Sequence, residues 1–242
     1  MAAALGWGAL AAASLVIGAL FGLARPWPER IVGLVLAFGA GALISAVSFE
    51  LAQEGIALGG GAPVMIGLAA GGLTYFGLDH VLEPVDQPAR RSHPSAGNPS
   101  AGIGLALGAF LDGIPEQLVL GIGLATGEGL SVSLLVAIFV SNLPEAIGSA
   151  TGMTASGRAR SFILRLWIGV AAVCTLATVV GYALADAATD RLKAGIDGFA
   201  AGALLVMLID SMIPEAARKS GRPAGLVTVL GFAVAAGLST MT

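Results

Sequence analysis

The segment Phe110-Leu111-Asp112-Gly113-Ile114-Pro115-Glu116 returns twenty-nine residues later as Phe139-Val140-Ser141-Asn142-Leu143-Pro144-Glu145. Phe, Pro and Glu recur in register, as do Leu105 with Leu134 and Gly123 with Gly152. Each copy lies inside an apolar run long enough to cross a bilayer, for which about 20 residues suffice. A carboxylate at the bilayer centre costs about 2.5–3.5 kcal/mol on insertion scales, so Glu116 and Glu145 are expected to face a partner or a wet cavity. Asp112 and Ser141 each precede a Glu by four residues and share its helix face. Pro115 and Pro144 lack an N–H, so the carbonyls of Leu111 and Val140 lose their usual partner and the helix is expected to break there. Two such helices facing each other make a cage of oxygens deep in the membrane. The reading is a midplane cation site, with the rest of the chain as its housing.

Composition agrees with a membrane setting. Of 242 residues, 56% are hydrophobic and 11% charged, and 36 are Gly. The charged share is under half that of a soluble domain, and Gly is about twice as frequent. Gly lets membrane helices approach closely. The expected class is all-α and integral to the membrane. No basic tract points to nucleic acid. Cys174, the single cysteine, lies in an apolar run and reads as a small core hydrophobe.

Eight spans are expected, at about 1–23, 31–52, 63–82, 101–124, 131–154, 162–185, 196–217 and 224–242, in a single transmembrane domain. A signal peptide is the rival reading of the first, but it lacks a basic n-region and its apolar run is long. Residues 53–62 read as a turn, 83–100 as a flexible loop, 127–129 as a short turn and 186–195 as a polar connection. Ten of the twelve Lys and Arg fall in the loops after spans one, three, five and seven. Positive charge favours the cytoplasm, which puts both termini outside and the 83–100 loop inside.

A second repeat joins span two to span seven. Phe38-Gly39-Ala40-Gly41-Ala42-Leu43 matches Phe199-Ala200-Ala201-Gly202-Ala203-Leu204, and the same offset brings Glu54 onto Glu215. The matched spans run in opposite directions, as do spans four and five. Inverted repeats, spans 1–3 and 6–8, around a polar central pair are a transporter signature.

Asp112, Glu116, Ser141, Asn142 and Glu145 offer oxygen donors only. Such a set suits Mg, Ca or Mn; zinc prefers some His or Cys but accepts carboxylates. Glu50 and Glu54 suit cation access at the outer end of span two. Asp79, His80, Asp210 and Glu215 suit release at the inner ends of spans three and seven, with Asp210 weighted above Glu215 for its depth. An enzyme is not expected. An intramembrane aspartyl protease would need Asp79 and Asp112 as a pair, and a Ser hydrolase would need His80 or His93 as its base, yet both His lie outside the span centres. The remaining alternatives are a carrier of a non-metal substrate that uses the Glu pair for protons, and a metal sensor that does not transport.

At these residues the chain resembles the ZIP (Zrt-, Irt-like protein) family of divalent metal transporters. That family's fourth span typically reads His-Asn-x-Pro-Glu-Gly, where this chain has Asp112-Gly113-Ile114-Pro115-Glu116-Gln117. Its fifth reads His-x-x-Pro-Glu or His-Glu-x-Pro-His, where this chain has Ser141-Asn142-Leu143-Pro144-Glu145. Ile213-Pro214-Glu215-Ala216 at the end of span seven is also similar. The resemblance implies a first metal position at Asp112, Glu116, Ser141 and Glu145. It implies a second that shares both Glu and adds Asn142, where Gly113 contributes no side chain. It implies zinc, manganese or iron as substrate rather than cofactor, and uptake into the cytoplasm across the cell membrane. It also implies homodimers in some members and sliding of spans one, four, five and six against the rest. The family His is replaced on both spans, by Asp112 and Ser141, which leans the substrate toward manganese, iron(II) or another harder ion.

Overall fold

The computed structural model describes residues 1–25, 27–82, 101–125 and 132–240. The 83–100 loop and the turn around Gly127-Glu128-Gly129 lie outside the described residues. Every element within them is helical. The rods are α1 (Ala2–Ala24), α2 (Glu29–Gly59), α3 (Gly61–Leu82), α4 (Ala101–Ala125), α5 (Val132–Ala155), α6 (Arg160–Ala187), α7 (Asp190–Ser220) and α8 (Pro223–Ser239).

Their ends follow from local chemistry. The Thr189 hydroxyl accepts the Leu192 N–H and caps α7. Pro223 opens α8, where its missing N–H costs nothing. Gly60 and Gly221 take φ of 90° and 68° and so stop α2 and α7. Among the described residues six helices, α1, α2, α3, α5, α6 and α7, are long and apolar enough to cross a membrane. Shorter apolar stretches lie in α4 (Gly113–Ala125) and α8. Large apolar side chains such as Ile66, Leu73, Phe76, Leu176, Leu226 and Val229 are exposed on α3, α6 and α8, the surface a lipid solvent requires. The protein is an all-α, multi-pass membrane protein.

Three sequence expectations change. Residues 53–59 continue α2, because nothing before Gly60 stops a helix. The polar residues Asp190, Arg191 and Lys193 form the first turns of α7, because Thr189 supplies the cap upstream of them. Pro115 and Pro144 do not break α4 and α5, which run unbroken through both. Each proline deletes one hydrogen bond, and the turns on either side hold the rod together.

Two helices carry a wider turn with i→i+5 hydrogen bonds: α2 at Val47–Gln53 and α7 at Leu208–Met212. Val47 and Leu208 are separated by the offset that aligns Phe38 with Phe199. The closest helix pairs are α3 with α7, α2 with α8, α1 with α5 and α4 with α6. Glycines seal them. A Cβ on Gly202 would strike the Leu68 carbonyl of α3, and one on Gly41 would strike the Thr228 carbonyl of α8. In return, Gly71 abuts the Phe199 carbonyl and Gly231 the Phe38 carbonyl. Likewise Gly181 of α6 abuts the Leu118 carbonyl of α4, and Gly22 of α1 abuts the Ile147 carbonyl of α5. The contacts of Gly41 and Gly202, and those of Gly231 and Gly71, thus correspond within one residue of the offset that aligns Phe38 with Phe199. Two cores result. One is centred on α2 and α7 and includes Leu36, Leu43, Leu204 and Met207; the other joins α1, α5 and α6 through Leu15, Met153, Ile163 and Trp167.

Candidate functional site

The α1 contact decides which way α5 faces. Gly18 meets the Leu143 carbonyl and Ala146, and Gly22 meets Ile147 and Ala150. At 100° per residue, Ser141 and Glu145 then lie on the opposite side of α5, away from α1. Gly39 of α2 seats against Ser141: a Cβ there would lie 2.9 Å from the Ser141 Cα and 3.2 Å from the Met212 methyl of α7. Ser141 and Asn142 are buried, and Glu145 is partly buried. The Ser141 hydroxyl donates to the Ile138 carbonyl at 3.0 Å, which leaves its oxygen lone pairs able to accept. The Asn142 Nδ2 finds no hydrogen-bond partner among the described residues.

On α4 the flanking contact is α6. Gly113, Gln117 and Gly121, spaced by four, face Cys174, Thr178 and the Thr178 carbonyl. Gln117, fully buried, accepts a short hydrogen bond from the Thr178 hydroxyl through Oε1, and its Nε2 has no partner among the described residues. Gly8 of α1 makes room for Thr178. Glu116, one residue earlier, is 1% exposed and is turned from the α6 stripe. The helices α4 and α5 pack on each other, so both Pro-Glu segments belong to one central pair. The side chain of Asp112 lies outside the described residues. Among the described residues no three His, Cys, Asp or Glu side chains gather as a metal would need.

Sequence reasoning missed Cys174. A Cβ on Gly113 would come within 2.7 Å of its Sγ, so the thiol stands where a side chain at 113 would begin. It is also within electrostatic reach of Glu116. A lone cysteine in an apolar run gave no sign of this; the signal is the missing side chain at Gly113, which only the α4–α6 packing connects to it.

The flanking acids divide. Glu50, in the wide turn of α2, is buried, whereas Asp210, in the wide turn of α7, is exposed despite its depth in sequence. Glu54 is exposed. Glu215 pairs with Lys219 at 2.6 Å and with Arg218 at 3.9 Å, i,i+4 and i,i+3 contacts of a helix end. His80 is exposed at the end of α3, and the Asp79 side chain lies outside the described residues. A second acid missed from sequence is Asp197. It is 8% exposed, packs beside Gly55 of α2 and lies within electrostatic reach of Glu54 and Lys193. Its place in the second turn of a span was the available clue.

No family model matches the chain. Over 214 residues, 86% of its length, the chain is 28% identical to a protein of Arabidopsis thaliana named as a candidate zinc transporter. The chain spans 34% of that relative, about a third of its length.

Proposed function

We propose that this chain carries divalent metal cations, with zinc among them, across a membrane as a ZIP-like transporter rather than an enzyme. The observation that carries the reading is the buried Glu116, paired through the α4–α5 contact with a second Pro-Glu segment. A carboxylate held at this depth needs a cation or a proton. Asp112, Glu116, Ser141, Asn142 and Glu145 would hold the ion, and oxygen donors of this kind bind hard or borderline divalents. The relative's name supports metal transport in general.

Eight spans arranged as inverted repeats, with both termini outside, complete the proposal. The doubled glycine contacts and the matched wide turns of α2 and α7 support the repeats. They also support two bodies, α1–α4–α5–α6 and α2–α3–α7–α8, each sealed by its own glycines, with the site on the former where α5 meets α2 at Gly39. A site at the boundary of two rigid bodies is what alternating access needs.

The test is metal uptake into proteoliposomes with Zn, Mn, Fe(II), Co, Cd and Mg, for the wild type and for Glu116→Gln and Glu145→Gln. Uptake of one or more ions that is lost in both variants is the expected result. Full uptake in either variant, with the protein inserted, would remove the site. No uptake of any ion by the wild type would remove the transport reading.

A further inference from the structure

A groove of about 840 Å³ lies between α3, α4 and α7. Its walls are apolar, with Ile66 and Ala70 from α3, Leu118 from α4 and Phe199 from α7. Among the described residues one charged side chain lines it: Arg191, at the end where α7 begins, near Thr189. The groove starts at Ala62, in the first turn of α3, and reaches Ala70. Eight residues of helix rise about 12 Å, most of the depth of one leaflet's hydrocarbon in a core of about 30 Å. Inside a membrane such a slot is not filled by water, since its walls offer nothing to bond it.

The charge pattern identifies what fills it. Arg191 and Lys193 are the two basic residues that break the ten-to-two asymmetry of the loops. Lys193 lies within electrostatic reach of Asp197, which packs beside Gly55 of α2. Asp190 also turns its backbone to α2, where its carbonyl faces Gly59. Among the described residues Arg191 is the charged residue that lines the groove, and its Cα packs at Gly59 as well. The capped N-terminus of the 31-residue α7 adds backbone N–H groups and a positive dipole end at the same level.

We propose that the groove is a binding site for an anionic phospholipid, its acyl chain lying along Ile66, Ala70 and Phe199 and its phosphate on the Arg191 guanidinium. Leu118 lines the groove and stands two residues after Glu116, so the lipid rests on the helix that carries the buried acid. The lipid site stands or falls without the transport reading, because its test measures no flux.

The experiment compares purified wild type, Arg191→Gln and Ala70→Trp in detergent, with phosphatidylglycerol or phosphatidylcholine added. Bound lipid is counted by native mass spectrometry, and stability is read by melting temperature. Ala70 is exposed, so an indole there fills the slot without entering the core. The wild type should hold phosphatidylglycerol in preference to phosphatidylcholine and melt higher with it. Arg191→Gln should lose that preference, about fivefold in affinity for one cation at the membrane surface. Ala70→Trp should lose the retained lipid of both kinds. An unchanged headgroup preference in Arg191→Gln would overturn the assignment of the phosphate. Unchanged lipid retention in Ala70→Trp would overturn the groove as its seat. A dimer that Ala70→Trp dissociates, with no lipid retained by the wild type, would make the groove a protein interface instead.

Discussion

Gln117 shows how much depends on single side chains here. It is fully buried one residue after Glu116, and the Thr178 hydroxyl is its partner. Removing that hydroxyl strands a whole amide in an apolar setting, which costs about 1–3 kcal/mol. Replacing both groups by apolar ones of similar shape strands nothing. Thr178→Val should therefore lower the melting temperature measurably, while Gln117→Leu with Thr178→Val should recover most of the loss. A double variant no better than the single one would show that the pair does not act as a unit. The proposed site can be probed at Cys174. Its sulfur fills the place of a side chain at Gly113, and sulfur favours zinc and cadmium over manganese. Cys174→Ser should reduce zinc and cadmium uptake relative to manganese by about tenfold, the equivalent of 1.4 kcal/mol. Introducing His at both Asp112 and Ser141 should shift preference the other way, toward zinc. Equal uptake ratios in all three proteins would place ion choice elsewhere. Nothing in the sequence linked Cys174 to Gly113, which lies 61 residues earlier and two helices back. Exposure was not legible either: Glu50 and Asp210 lie in corresponding wide turns, yet Glu50 is buried and Asp210 exposed.

At the scale of the helices, glycine sets the packing. Among Gly39, Gly41 and Gly202, each Cβ would press on a backbone atom or a methyl of a neighbouring helix, and backbone cannot step aside. Gly6 has nothing within 4 Å. Gly41→Leu and Gly202→Leu should each destabilise by at least the about 1–3 kcal/mol of overpacking, and by similar amounts because their surroundings correspond. Gly6→Leu should leave the melting temperature in place. Unequal losses at Gly41 and Gly202 would count against the proposed repeat. The Phe38 and Phe199 segments raise this correspondence as an expectation from sequence. What could not be read was where helices end. A cap such as Thr189 or a positive-φ residue such as Gly60 overrides the polarity of the segments beside it, so residues 53–59 and 190–195 are helix although their composition reads as loop.

For the whole molecule, the direction of travel depends on orientation, and orientation depends on charge. Membrane helices of this apolarity were legible from composition and run length, and the described residues hold six that can span. The way they pair was not legible, because apolar Gly- and Ala-rich faces look alike in sequence and differ only in which carbonyl each glycine meets. The loops are another matter. In the proposed eight-span arrangement ten of twelve basic residues lie on one side, and the two exceptions are Lys193, near Asp197, and Arg191, at the groove. The asymmetry therefore survives their removal and argues for a cytoplasmic 83–100 loop. In intact cells, a membrane-impermeant maleimide should label Gly61→Cys, on the exposed α2–α3 turn, and should reach Ser95→Cys only after the membrane is opened. The native Cys174 is buried and should stay silent throughout. The reverse pattern would turn the protein over. It would put Glu50, Glu54 and Asp197 on the cytoplasmic side, and with them the proposed sense of cation movement from that end toward the ion-paired Glu215.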